Sequence, residues 1–336
     1  MAQRVLTEAK AARLCMMATG TGWVMVSVGR ALIAHVSGVH RCGSIWCCPL
    51  CSPVVRQGRA RDIDQAAGVV IAEGGSGLFL TATGPHRKGD PLGPLFDLAC
   101  RFLDLTMRGA KGAELKKRLG YVGSIRSVEV TYTENGWHPH VHVLMLFDRV
   151  LSPAEVAELR SFAFGRWQGA LMRRGFRKLH PVHGLDVRPV YDSTGLAEYV
   201  AKVEDGWGVG LELARGDVKN RSESPMGLLA RWAIDGDEVA RELWKEYERV
   251  TFGRRCIQWT PGLRARLLPE VEEQSDEELA AAEGADEVLL QVQFLGEEWN
   301  LFCRQGEVAL VLRQVEEVCA LMLFLAQFGS PIKENA

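Results

Sequence analysis

The stretch Arg126–Phe147, RSVEVTYTENGWHPHVHVLMLF, decides the fold. Val128, Val130, Tyr132 and Thr133 give its first arm a β-branched and aromatic character, and Val141, Val143, Leu144 and Leu146 give the second. Asn135-Gly136 between them is the strongest short hairpin signal, because a two-residue type I′ loop needs positive φ at both central positions. With those two residues as the loop, counting outward sets Thr133 against His138, Thr131 against His140 and Glu129 against His142. Side chains alternate along a strand, so His138, His140, His142, Glu129 and Thr131 share one face. Directly opposed residues lie roughly 4.5–5.5 Å apart at Cβ. A carboxylate and two imidazoles gathered on one pleat, with room for water or substrate, form a divalent-metal site of the catalytic kind. The expected ligands are Glu129, His140 and His142, with His138 as an auxiliary contact. A lone histidine in a strand is ordinarily a satisfied polar residue. Three at strict period two, facing a carboxylate, are not.

Composition bounds what surrounds this hairpin. A chain of 336 residues with 47% hydrophobic and 24% charged residues is built like a soluble globular protein and is long enough for two domains. No apolar run reaches the length of a membrane span, and the start MAQRVLTEAKAARLCMMATG lacks the features of a secretory signal. Nine cysteines, four of them between Cys42 and Cys51, favour metal over disulfides and point to a reducing cytoplasm. The net charge of −2 hides an asymmetry. Residues 269–336 carry 15 acidic and 3 basic side chains, which leaves 27 acidic and 37 basic for the rest of the chain. A basic body with an acidic tail suits a polyanionic partner.

Upstream, HRCGSIWCCPLCSPVVRQGRARDI holds a C-P-x-C knuckle, Cys48 and Cys51, whose two thiolates can grip one tetrahedral ion. Cys42 is the expected third ligand, and Cys47, His35 or His40 the fourth, of a structural Zn²⁺ site. Arg56, Arg59 and Arg61 follow at once and could meet phosphates or simply face solvent.

From Gly77 the elements alternate regularly. LFLTATG (78–84) reads as a strand, and a helix follows from near Pro94 to about Leu119, interrupted at Gly109–Gly112. Next comes the hairpin, as 121–133 and 138–147. Ser152-Pro153-Ala154-Glu155 is a capping box with proline at the first helical position. The strand after that helix lies within RKLHPVHGLDVRPV. A short helix, GLAEYVAKV, closes the series. The order β-α-β-β-α-β plus one helix is the split βαβ or ferredoxin-like plan, an α+β fold with an antiparallel sheet. That plan sets LFLTATG beside the histidine strand.

The short helix carries the second piece of chemistry. Tyr199 and Lys202, three apart, lie on one helix face, and Glu198 is four before Lys202. A free tyrosine is only about 0.1% phenolate at pH 7, and a nearby ammonium favours the phenolate. Tyrosine with a divalent metal suits phosphodiester attack: the phenolate displaces a deoxyribose 3′-oxygen while the metal neutralises phosphate charge.

The ordered set CCPLC, FLTATGPH (79–86), GWHPHVHVLML (136–146) and AEYVAK (197–202) resembles the replication initiators of rolling-circle plasmids, within the HUH endonuclease superfamily. LWKEYERVTFGRRCIQWTPGLR (243–264) is similar to that family's end-of-domain signature, so the resemblance covers residues 42–264. It implies an HUH-type fold and makes His140 and His142 the paired metal ligands, Glu129 the acidic position and Tyr199 the nucleophile, beside which the helix spacing sets Lys202. It also implies Mn²⁺ or Mg²⁺ at the site, single-stranded origin DNA as substrate, a 5′-phosphotyrosine intermediate with a 3′-OH primer, and host replication machinery as a partner. One departure stands out. Gly195 occupies the place where some relatives carry a water-activating glutamate, and Glu198 or Asp192 are its candidate substitutes. The histidine run also resembles the histidine-triad nucleotide hydrolases, which give the cysteine knuckle and AEYVAK no role. HUH-type transposases are a related alternative; a zinc-containing protein that holds DNA without cutting it is one of another class.

The expected organisation is an N-terminal zinc-knuckle region (1–70), the endonuclease domain (71–265), and an acidic linker with a C-terminal helical extension (266–336). Residues 204–242 include Trp207, Arg215, Lys219 and Arg221, which suit a loop against DNA. VLLQVQFLGEEWNLFC (288–303) suggests a strand or hairpin, and 308–328 a helix for burial or docking.

Overall fold

The computed structural model describes residues 2–20, 22–190, 222–281 and 287–328. The chain divides into two units, one formed by Met1–Ser44 with Ser275–Ala336 and the other by Ile45–Gln274. The expected tyrosine helix, with Tyr199, Lys202 and Glu198, lies outside the described residues, as do Tyr191, Asp192, Gly195, Trp207, Arg215, Lys219 and Arg221.

In chain order, the first unit opens with α1 (Ala2–Leu6), α2 (Lys10–Leu14), β1 (Trp23–Val28) and β2 (Ala34–Ser37). The second unit holds α3 (Cys51–Ala72), β3 (Ser76–Thr83), α4 (Leu92–Cys100), α5 (Phe102–Met107), α6 (Ala110–Arg118), β4 (Tyr121–Thr133) and β5 (Gly136–Phe147). It continues through α7 (Pro153–Met172), β6 (Leu185–Val190), β7 (Ser222–Glu223), α8 (Pro225–Asp235), α9 (Glu238–Thr251), β8 (Ile257–Trp259) and α10 (Leu263–Leu267). The first unit is then completed by α11 (Asp276–Ala281), β9 (Leu290–Leu295), α12 (Gly296–Gln305) and α13 (Val308–Phe328). Its three strands pair in the order β2-β1-β9, and the indole of Trp299, fully buried, donates to the Met16 carbonyl at 2.7 Å. Residues 288–303 are thus a strand followed by a helix rather than a hairpin. No helix among the described residues is long and apolar enough to cross a membrane.

The sheet of the second unit runs β6-β3-β5-β4-β7, with β8 also on β4, and every pairing is antiparallel. β3 is the inner neighbour of the histidine strand β5, as the βαββαβ order requires. One face packs on α3 and α10, where Ile63, Ala67, Phe79, Ile125, Leu144 and Leu263 share a core. On the other face α4 packs against β5. Because β5 is buried on both faces beyond His140, VHVLMLF reads as a near-continuous apolar run.

Two sequence expectations need correction. The single interrupted helix before the hairpin is three helices, broken at Arg101 and at Arg108-Gly109. The hairpin register is also shifted by two. Thr133 pairs with Gly136, Thr131 with His138, Glu129 with His140 and Ser127 with His142. The turn residues are Glu134 and Asn135, and positive φ in this turn falls on Gly136 alone, at 93°. That is the conformation of a type I turn closed by a glycine in the left-handed region, not of a type I′ pair. The glycine is also needed for space: a Cβ there would come within 2.8 Å of the Arg87 carbonyl oxygen. A shift of two preserves the face of every side chain, so the histidines and Glu129 still share one.

The helix after the hairpin begins as read. Glu155 N–H donates to Ser152 Oγ at 3.4 Å, Ser152 N–H donates back to Glu155 at 2.9 Å, and Arg149 Nη2 holds the same carboxylate at 2.6 Å. The Arg149 hydrogen bond first, then those from Ser152, lower the Glu155 pKa from the ordinary 4.5 to about 2. A depressed folded-state value means stabilisation that is complete above the unfolded pKa and lost as pH falls from about 4.5 toward about 2. Melting temperatures of wild type and Glu155→Gln are therefore expected to differ near neutral pH and to converge by pH 2. A gap that stays constant across that range would refute the linkage.

Candidate active site

β5 presents His140 and His142 on one pleat, and its two neighbours complete their surroundings. β3 sets Thr81 opposite His142 and Thr83 opposite His140. Thr81 Oγ1 shares a hydrogen bond with His142 Nδ1 at 3.1 Å, and Thr83 Oγ1 shares one with His140 Nδ1 at 2.9 Å. From β4, Glu129 Oε2 lies 3.2 Å from His142 Nε2. His142 is 4% exposed, and its ring stacks on Phe79 at 5.6 Å between centroids, so it has little rotational freedom. His140 stands further off, its ring near-parallel to that of His142 at 6.2 Å between centroids. His138 lies beside His140 at 4.0 Å, and His86, from the turn after β3, lies 4.4 Å from His138. Four imidazoles thus form a row from the buried centre of the sheet to its end.

Glu129 and His142 stand at the spacing of adjacent metal ligands, while His140 lies too far off to complete a group of three, and among the described residues only a cysteine cluster brings three or more ligand atoms within 4.8 Å of one another. With each Nδ1 bonded to a threonine hydroxyl, the coordinating nitrogen of both histidines would be Nε2, and such partners fix tautomer and ring orientation. Two ligand atoms each about 2.1 Å from one ion, at right angles, are about 3 Å apart. The Glu129–His142 separation therefore serves a hydrogen bond or a pair of adjacent ligands equally well. Arg56 of α3 adds a cation here. Burial works to lower its pKa, but Cys256, Tyr247 and Glu129 outweigh that and hold it above the ordinary value.

The hairpin is clamped from a distance. Trp137, 2% exposed, donates from its indole to Glu246 Oε2 at 2.8 Å, and the other oxygen of Glu246 accepts the Leu92 N–H at 2.8 Å. Tyr247 stacks on Trp137 and donates its phenol proton to the Trp46 carbonyl at 3.1 Å. β8 then pairs Ile257 with Ser127 and Trp259 with Ile125. The segment LWKEYERVTFGRRCIQW thus braces the histidine-face strands from behind and along the edge.

A separate cluster is built from cysteines. The sulfur atoms of Cys15, Cys42, Cys48 and Cys51 all lie within 4.8 Å of one another, close enough to hold one tetrahedral ion such as zinc. The expected fourth ligand needs correction. Cys47 instead contacts Thr251 Oγ1 at 3.7 Å, and burial pushes its thiol up to about 12, which keeps it protonated. His35 lies within β2, and His40 is not in the cluster. Nothing local marks Cys15 as a ligand, since 27 residues separate it from Cys42. Thr81, Thr83 and His86 were also missed, although all three stand in FLTATGPH and the first two become visible once β3 is set beside β5.

Three relatives are similar to this chain. "Protein rep" of Streptomyces lividans is 32% identical over 306 residues, covering 73% of this chain and 67% of the relative. A "Neomycin resistance protein" of Streptomyces cyanogenus is 28% identical over 134 residues, 32% of this chain and 31% of its own length. "Protein rep" of Streptococcus pneumoniae serotype 2 (strain D39 / NCTC 7466) is 35% identical over 103 residues, 30% of this chain and 31% of its own. No family model and no solved structure matches. An antiparallel sheet carrying paired histidines, with similarity to the Streptomyces lividans protein along most of the chain, places it in a defined class: it belongs to the plasmid Rep proteins, the replication initiators.

Proposed function

We propose that this Rep protein is an HUH-type endonuclease that nicks one strand at a plasmid origin. The observation that carries this reading is the pair His140–His142 on a central strand, each Nδ1 held by a threonine, with Glu129 against His142. A bound Mn²⁺ or Mg²⁺ would supply charge neutralisation on the scissile phosphate oxygens. The residues of the chain do the rest. Glu129, His140 and His142 would hold and orient the ion, with His138 and His86 at the rim of the row. Arg56 adds buried positive charge near Glu129.

The phenol oxygen of Tyr199 attacks the scissile phosphorus. A bond forms from tyrosine to the 5′-phosphate, the bond from phosphorus to the 3′-oxygen breaks, and the phenol proton passes to that oxygen through solvent. The product is a 5′-phosphotyrosine and a free 3′-OH primer, with Lys202 favouring the phenolate. The substrate is single-stranded origin DNA in the cytoplasm, and host replication proteins would extend the primer.

The test is incubation of the purified protein with Mn²⁺ and labelled single-stranded oligonucleotides that tile an origin. A covalent adduct mapping to one tyrosine peptide, and absent with EDTA, is expected. Binding without any cleavage would instead support a protein that holds DNA without cutting it.

The cysteine cluster is proposed to be structural, holding Zn²⁺ through Cys15, Cys42, Cys48 and Cys51. Elemental analysis is expected to find about one zinc equivalent that survives His140→Ala and His142→Ala, while Cys48→Ser removes it and destabilises the fold. Zinc lost in the histidine variants but kept in Cys48→Ser would reverse the assignment.

A further inference from the structure

The face of β4 turned away from Glu129 lines a cavity of about 310 Å³ between α5, α6 and β8. Side chains alternate, so Ser124 and Arg126 point here while Ser127 and Glu129 point to the histidines. Arg126 is only 5% exposed. Its Nη2 donates to Gln258 Oε1 at 2.8 Å, but its Nη1 is buried and has no hydrogen-bond partner among the described residues. An unpaired donor on a buried cation is costly and calls for an acceptor that the chain does not supply.

The rest of the cavity says what that acceptor is. Tyr121 Oη donates to Ser124 Oγ at 2.8 Å, and Ser124 Oγ lies 3.2 Å from Thr260 Oγ1, so three hydroxyls form one cluster. Lys116 and Arg108 also line the cavity, against one carboxylate, Asp104, which Arg108 already holds at 3.3 Å. With Arg108 and Asp104 offsetting one another, two cations, Arg126 and Lys116, and three hydroxyls remain to select an anion with several oxygens. The volume exceeds what a bare tetrahedral anion fills, and Met107, Met145 and Trp259 offer apolar surface for a ring.

We infer that this cavity binds a phosphomonoester on a nucleoside, with the phosphate toward Arg126 and Lys116 and the base against Trp259. It is a second nucleotide site, back to back with the histidine face across one strand, and does not depend on nicking. Two sources share this chemistry: a free mononucleotide and the 5′-phosphate end of a DNA strand.

Titration calorimetry on the full chain, without divalent metal, tests it with deoxyadenosine 5′-monophosphate as probe. One saturable site is expected, with deoxyadenosine binding at least about tenfold more weakly. Arg126→Met and Lys116→Ala are each expected to weaken the nucleotide by about tenfold, and His142→Ala to leave it unchanged. If Arg126→Met does not fold, Lys116→Ala with Trp259→Ala carries the test. Competition by a 5′-phosphorylated oligonucleotide, but not by its 5′-hydroxyl form, identifies a strand end as the source; competition by neither identifies the free nucleotide. No saturable binding, or binding that survives the cavity variants and disappears in His142→Ala, overturns the inference.

Discussion

His142→Ala is expected to reduce Mn²⁺-dependent nicking by about a thousandfold or more, since losing a metal ligand removes several kcal/mol of transition-state stabilisation. His140→Ala should act in the same direction. The fold should survive both changes, because the core beneath the histidines is carried by Phe79, Ile125, Leu144 and the helices against them. Circular dichroism checks this before any kinetic conclusion is drawn. Thr81→Val gives an independent measure: it removes the hydroxyl that fixes His142 Nδ1 without removing a ligand, and should cost about 10–100-fold, with higher metal concentrations recovering part of the rate. Nicking that persists in both histidine variants would remove the metal face from the mechanism.

Tyr199→Phe removes one oxygen and should abolish the covalent adduct while leaving origin binding intact. The chain has five tyrosines, and the described ones are poor nucleophiles. Tyr247 is buried, with its phenol bonded to a carbonyl and its pKa pushed well above 10, chiefly by desolvation. Tyr121 is committed to Ser124, and Tyr132 sits edge-on to Trp137, on the face of β4 opposite Glu129. That leaves Tyr199 and Tyr191 as competitors. Adduct mapping separates them, because Tyr191→Phe should leave the product unchanged. A stable 5′-phosphotyrosine formed by Tyr199→Phe would move the nucleophile elsewhere in the chain.

Much of this arrangement was legible because strand periodicity is indifferent to small errors. The loop was placed one residue late, yet the resulting shift of two left Glu129 and the three histidines on one face. Asn135-Gly136 misled because the pair suits two turn geometries, and what selects between them is the backbone of Arg87 pressed against Gly136, a contact 49 residues away in the chain. The distant member of the cysteine cluster had no local signature either. Cys15 sits in an unremarkable stretch, while the adjacent Cys47, a better candidate by spacing, turns toward Thr251. Arg126 read as an ordinary first residue of a strand motif; its partner is Gln258 of β8, 132 residues further on.

The Trp137–Glu246 clasp joins positions 109 residues apart, and β8 closes beside β4 later still. Translation runs from the N-terminus, so a nascent chain carries the complete histidine hairpin well before its brace exists. Until about residue 259 has left the ribosome, the β4 edge that receives β8 remains uncovered and Trp137 lacks its partner carboxylate. Competence at the histidine face therefore arrives late in synthesis, and chains released early are delivered with an open strand edge, the kind of surface on which aggregation begins.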